Sequence, residues 1–266
     1  MSATPVSVHV PGPAPLPKPL VGQSALSLLD AEPDLANWVV PSERAAAARA
    51  TRVPEVTVEA GPFDPAAVVS LGRDGFGALV LSGLISREVF LDGRPALRLQ
   101  GPGDVFIDEP LGASPAETLV QWSACVSTRL AILDDHVLLA VRRWPRLLRG
   151  LCARMQQCHD MTLLQLSASH RPTVEDRIAG LFELLADRWG RMTAHGVVVP
   201  IALTHDAIGQ MIGARRPTVT LGLRALALQG RLVREEGGRW LLNPGAAESL
   251  PESPANGRSP LTVVRD

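Results

Sequence analysis

The hydrophobic period of the chain switches once, at Asp134–Asp135, and few folds accommodate such a switch. Before it, short β-branched or alternating runs (VTVEA, GALVLSGLISREVFL, ALRLQ, LVQWSACVSTRLAIL) are separated by the turn sequences GRDGFG, DGR and GPGD. Turn signals this frequent predict antiparallel hairpins that close into a small barrel or sandwich ending at Leu133. After the switch, HVLLAVRRW reads as a helix, and Pro145 stands where proline is tolerated, in the first turn of a second one. From there to His170 no glycine or proline follows Gly150. Leu148, Leu151, Cys152, Met155, His159, Thr162, Leu163 and Leu166 recur at helical spacing. A helix of that length outruns a small barrel, so this stripe is expected to be the seam of a homodimer.

The flanks have a different texture. Residues 1–22 hold six prolines and one lysine, Lys18, without any apolar run. Residues 1–25 and 244–266 are expected to be disordered tails. The N-terminus has no secretory signal pattern, so the cytoplasm is the expected address. No apolar run approaches the length of a membrane span. SERAAAARAT, residues 42–51, predicts a short helix capped by Ser42. The formal net charge of −1 conceals an asymmetry. Residues 23–134 carry 8 arginines against 15 carboxylates, whereas residues 135–243 carry 15 arginines against 9. An acidic module joined to a basic one fits a sensor attached to a polyanion-binding unit.

The basic half contains the informative motif. Thr173 caps the amphipathic segment VEDRIAGLFELLADRWGR, and VVVPIAL follows as a strand-like link. Residues 204–229 then have the pattern of a helix-turn-helix. Thr204 is the N-cap, Ala207, Ile208, Met211 and Ile212 are the buried face, and Gly213 supplies a left-handed turn. Pro217 opens the second helix, whose apolar positions are Val219, Leu223, Leu226 and Leu228. Its leading edge presents Arg215, Arg216, Thr218 and Thr220, side chains suited to guanine edges, phosphates and thymine methyls. Arg224, Arg231 and Arg239 lie farther along, where phosphate contact is expected. RLVREE, a Gly-Gly turn and RWLL make the hairpin of a wing.

The order of β-roll, long helix and winged helix-turn-helix resembles the Crp/Fnr family of bacterial transcription regulators. The matching residues are LTHDAIGQMIGARRPTVTLGLRAL with the LVREEGGRWLL wing, the PTVEDRIAGLFELLADRWG link, and GFGALVLSGLISREV with LQGPGDVF in the roll. The resemblance spans about residues 53–243. It implies an α+β chain with an antiparallel, cyclic-nucleotide-binding-like β-roll over residues 26–134, helices including the dimer helix over 135–170, and a DNA-binding domain over 171–243. It also implies a homodimer on a palindromic double-stranded DNA operator, with RNA polymerase as a further partner and a small-molecule effector of unknown identity. Arg216 would read a base and Thr218 would touch the backbone. The acidic residue that commonly follows that arginine is absent, because Pro217 occupies its place.

The sensor departs from the family's nucleotide-binding members. Between Leu99 and Thr128 there is no Arg or Lys, while Asp104, Asp108, Glu109 and Glu117 are present. A cyclic phosphate needs a cation or a nest of amides, so cyclic AMP is not the expected effector. A cyclic-nucleotide-responsive regulator with a nonstandard phosphate pocket is the alternative. No cofactor or metal is expected. The three cysteines, Cys125, Cys152 and Cys158, form no cluster, and no histidine lies between Val10 and Asp135 to ligate a metal inside the roll. An enzyme on the barrel is the third reading. No GxSxG or HExxH motif supports it.

Overall fold

A computed structural model describes residues 6–8, 21–91, 93–107 and 118–243. The roll consists of two facing antiparallel sheets. One runs in the order Val21–Ser27, Arg52–Val58, Thr128–Leu133, Gly77–Ser82, Val105–Ile107. The other runs Gly61–Pro62, Thr118–Ala124, Ile85–Leu91, Arg94–Gln100. Val56, Phe63, Val80, Ile85, Phe106, Leu130 and Ile132 fill the space between them, so alternate residues of each strand point inward.

Two N-terminal expectations change. Val21–Ser27 is a strand rather than the end of a disordered tail, because it covers the otherwise unpaired edge of Arg52–Val58. Residues 9–20 and 244–266 lie outside the described residues. Ser42 does not cap a helix. Pro41 fixes a 3₁₀ turn over Pro41–Glu43, and Arg44–Ala50 follows with Glu43 at its cap position and no side-chain capping bond. The Glu43 carboxylate instead accepts the Trp144 indole N–H at 2.9 Å.

Past the period switch, the Asp134 carboxylate accepts the His136 amide at 3.1 Å and starts the helix Asp135–Arg143. Pro145 is the first residue of the long helix, Pro145–Ser169, whose 25 residues span roughly 37 Å at ~1.5 Å each. One side of it enters a core made with the N-terminal helices and the roll, through Leu147 and Leu151. Among the described residues no helix is long and apolar enough to cross a membrane.

The linking helix, Val174–Trp189, begins at Thr173, whose hydroxyl accepts the Asp176 amide at 3.1 Å. It ends two residues short of the expected Arg191. Gly190 is extended, and a Cβ there would lie 2.2 Å from the Ala186 carbonyl oxygen. Pro200 divides the expected strand-like link. Gly196–Val199 joins the four-stranded wing sheet (Arg191–Thr193, Gly196–Val199, Trp240–Leu242, Leu232–Arg234), while Ile201–Leu203 pairs in parallel with Val6–Val8. Leu84, Leu97 and Leu99 of the roll share one hydrophobic cluster with Ile178, Phe182, Ile208 and Trp240. The two modules therefore meet through a common core, not a solvated linker.

Candidate nucleic-acid interface

The helix-turn-helix is built from local signals. The first helix, His205–Ile212, starts where the Thr204 hydroxyl accepts the Ala207 amide at 3.1 Å. Gly213 then takes φ 67 and ψ 35, a left-handed conformation that would strain other residues. Gly209 matters as well. A Cβ there would lie 2.5 Å from the Ala214 carbonyl oxygen, so its lack of a side chain lets the turn close. The second helix, Arg216–Leu228, has Arg215 as its N-cap residue and Pro217 inside its first turn. Val219, Gly222, Leu223 and Leu226 face inward, with Gly222 close against Ile178 of the linking helix.

At 100° per residue, the opposite line of the second helix runs through Pro217, Leu221, Arg224 and Leu228, and all four are exposed. Leu228, expected on the apolar face, is 90% exposed, and Leu221, which sequence reasoning passed over, is 64% exposed. Arg215, Arg216 and Thr218 are exposed at the N-terminal end of that face. Arg216 makes only a long ion pair with Asp206, 3.8 Å, with both side chains more than half exposed. The guanidinium is therefore free to exchange that partner for another. Arg231 and Arg239 are half-buried, and Arg239 lies 3.6 Å from Glu235 on the wing.

Thr220 is used differently from expectation. Its hydroxyl donates to the Arg216 carbonyl at 3.0 Å and lies 2.8 Å from the Nδ1 of His205. These two contacts tie the start of the second helix to the first helix. His205 was missed from the sequence, where it reads as an ordinary first-turn residue. Burial, then the charges of Arg234 and Arg216, push its imidazole below the usual histidine value, against the opposing pull of Asp206. The tip of the roll's Ile85–Gln100 hairpin also approaches this end. Arg94 borders one open groove of about 790 Å³ with Arg215, Arg216, Gln210 and Gly213. Arg94 carries no sequence signal, because its closeness to the motif is purely tertiary.

The long helix separates the predicted seam residues into two sets. Leu148, Cys152, Met155, His159, Thr162, Leu163 and Leu166 are exposed along one face. Leu151 is not on it: at 6% exposure it packs in its own chain's core with Leu147 and Trp144. Position 151 follows 147 by one helical turn and so shares the core face. Cys158 also points away from Cys152, as a separation of six residues requires, and its thiol lies 2.9 Å from Asp104. Burial and the Asp104 charge hold that thiol above its usual range, and burial pushes Cys125 up to about 12, so neither is a ready thiolate.

Asp104, counted above with the carboxylates of the sensor, belongs to the junction between modules. It is 1% exposed, accepts the Gly101 amide at 2.8 Å, and forms an ion pair with Arg188 of the linking helix. Residues 108–117, which contain Asp108, Glu109 and Glu117, lie outside the described residues. Asp134, Asp135 and His136 bring three potential ligand atoms within 4.8 Å of one another. Asp134 is already a helix cap there, and Asp135 pairs with Arg73 at 3.2 Å.

The chain thus joins a β-roll through a long helix to a helix-turn-helix flanked by a four-stranded sheet. Solved structures of similar fold include a cyclic nucleotide-binding domain containing protein from Listeria monocytogenes EGD-e, with TM-score 0.60, 14% identity, and coverage of 79% of this chain and 96% of the other. A CooA mutant from Carboxydothermus hydrogenoformans has TM-score 0.55, 17% identity, and coverage of 73% and 86%. FixK2 from Bradyrhizobium japonicum has TM-score 0.50, 21% identity, and coverage of 76% and 98%. No protein-family model matches the sequence, and no curated protein matches it. The chain has the fold of the Crp/Fnr transcription regulators.

Proposed function

We propose that this protein is a homodimeric, sequence-specific DNA-binding transcription regulator of the Crp/Fnr type. The observation that carries the reading is the outward face of Arg216–Leu228. Arg215, Arg216, Thr218 and Arg224 stand exposed on a helix whose other side is locked into the core, and among the described residues no buried carboxylate neutralises them. A helix held this way enters a major groove by its N-terminal end, and a guanidinium there can contact guanine O6 and N7 together. Arg231 and Arg239 on the wing side, with Arg94 on the roll hairpin, suit phosphate contacts that position without reading sequence. The exposed stripe from Leu148 to Leu166, without Leu151, supplies the two-fold seam. The effector is not cyclic AMP; the competing reading, a nucleotide-responsive regulator, is distinguished by cyclic AMP titration of the purified dimer.

The decisive experiment is to sequence DNA retained by the purified protein from a random pool. Two-fold protein symmetry requires an inverted repeat with half-sites about one helical turn apart. Recovery of no motif, or of a single undivided site, overturns the assignment.

A further inference from the structure

Ile201–Leu203 runs directly into Thr204, the cap of the helix-turn-helix. All three of its residues are buried, and Ile201 and Leu203 share a core cluster with Ile208 and Trp240. Ala202 meets the wing turn, where a Cβ on Gly238 would lie 2.9 Å from its own. The strand is therefore fixed to the helix-turn-helix module through its side chains. Its backbone is served differently. Gly196–Val199 belongs to the wing sheet, but past Pro200 the chain leaves that sheet. Among the described residues Ile201–Leu203 has one strand partner, Val6–Val8. The pairing is parallel, with Val6 opposite Ile201, Ser7 opposite Ala202 and Val8 opposite Leu203.

A buried strand without a neighbour leaves peptide groups unsatisfied, which costs more than an ordinary hydrogen bond gains. The edge of Ile201–Leu203 is thus a docking site for an extended backbone, of the strand-addition kind. The sequence that fills it suits a strand, since VSVHV places a β-branched valine at every second position. The other end of this segment is anchored in the other module. Val21–Ser27 is the outer strand of a roll sheet, held along Arg52–Val58. Twelve residues, five of them prolines, connect Val8 to Val21. The N-terminal chain is paired at both ends, once on the roll and once beside the helix-turn-helix. This connection is separate from the apolar core that the two modules share and from the long helix.

We infer that Val6–Val8 is a strap that docks on the Ile201–Leu203 edge and pins the helix-turn-helix module against the roll. Three residues pair weakly on their own. The tether holds them in place by an effective concentration on the order of millimolar, so the strap can be displaced by a competing strand or by movement of the roll edge. Its consequence for DNA rests on the reading proposed above. The pinned arrangement is the one that brings Arg94 to the groove of Arg215 and Arg216. Loss of the strap lowers the fraction of molecules in that arrangement, and the apparent affinity for DNA falls with the fraction.

The test uses the full chain carrying Val6→Pro and Val8→Pro together, which removes two backbone donors and restricts the residues before them. Ala3→Pro, outside the paired residues, is the control. Hydrogen exchange of the amides in Ile201–Leu203 should quicken about tenfold in the double variant. Thr128–Leu133, in the middle of the roll sheet, should keep wild-type protection, and Ala3→Pro should match wild type throughout. A chain lacking residues 1–8 should show the same fast exchange. A synthetic peptide of residues 1–12, added at millimolar concentration, should restore its protection, whereas the same peptide with proline at positions 6 and 8 should not. Equal exchange in the wild type and the double variant overturns the strap. So do two peptides that act alike, whether both protect or neither does. A final arm measures affinity for the selected DNA, which should weaken about threefold or more in the double variant and not in Ala3→Pro. Faster exchange with unchanged DNA affinity removes the regulatory role and leaves the docking edge. If the wild type selects no DNA motif, the DNA-binding reading fails by itself, and the exchange and peptide arms still decide the strap.

Discussion

The end of the molecule proposed to face DNA and the junction behind it use arginine in opposite ways. On the second helix of the helix-turn-helix Arg215, Arg216 and Arg224 are solvated, and the fold of the single chain does not depend on them. At the junction Arg188 pairs with a fully buried carboxylate, and its own Nε is left without a partner. Exposed charges cost little to hold and little to lose, which leaves them available for another molecule. A buried pair is different: removing one partner strands the other in a poor dielectric. The exposed stripe of the long helix, the proposed dimer seam, resembles the first case, and the face carrying Leu151 and Cys158 resembles the second.

The largest expected effect tests that division on the long helix itself. Met155→Glu with Leu163→Glu places charges on the exposed stripe and forfeits burial of about 1.5–3 kcal/mol per side chain in each protomer. Light scattering should report a monomer whose circular dichroism is unchanged. A stable dimer would move the seam elsewhere. Leu151→Glu should instead lower stability, because that side chain belongs to the chain's own core.

Next in size is the junction. Asp104→Ala leaves Arg188, the Gly101 amide and the Cys158 thiol without their acceptor, and should cost about 3–5 kcal/mol in urea unfolding. A loss below about 1 kcal/mol, the range of an exposed pair, would erase the contrast drawn here.

Arg216→Ala should leave unfolding unchanged. It should weaken cognate DNA by about 1–3 kcal/mol per half-site and relax preference at one position. Arg231→Ala and Arg239→Ala should weaken cognate and scrambled DNA equally and flatten the salt dependence. Equal losses on both DNAs for Arg216→Ala would show that another residue reads the base.

The smallest effect concerns His205. Its folded value is depressed, so between that value and the ordinary ~6.5 the unfolded chain binds more protons. This contribution to stability is present above about pH 6.5 and is lost as the pH falls through the folded value. His205→Gln should flatten the stability profile in that window, and an unaltered slope there would assign the pH dependence to another group.

The sequence by itself determined what depends on near neighbours along the chain. The switch at Asp134, the Thr173 and Thr204 caps, Pro145 at a helix start and the left-handed Gly213 each rest on a few consecutive residues. The backbone obeys such rules wherever it goes, so the helix-turn-helix, the long helix and the run of short strands were legible. Tertiary structure alone decided which face each residue serves and which charges meet. Asp104 meets Arg188 across 84 positions, and Thr220 meets His205 across 15. Arg98 stands just outside the cation-free stretch that begins at Leu99, yet cross-strand pairing sets it beside Arg87, and packing turns both toward a cavity shared with Gln210. No periodicity encodes these encounters, because they arise from how sheet and helices stack, and stacking energy depends on shape and burial rather than on spacing in the chain.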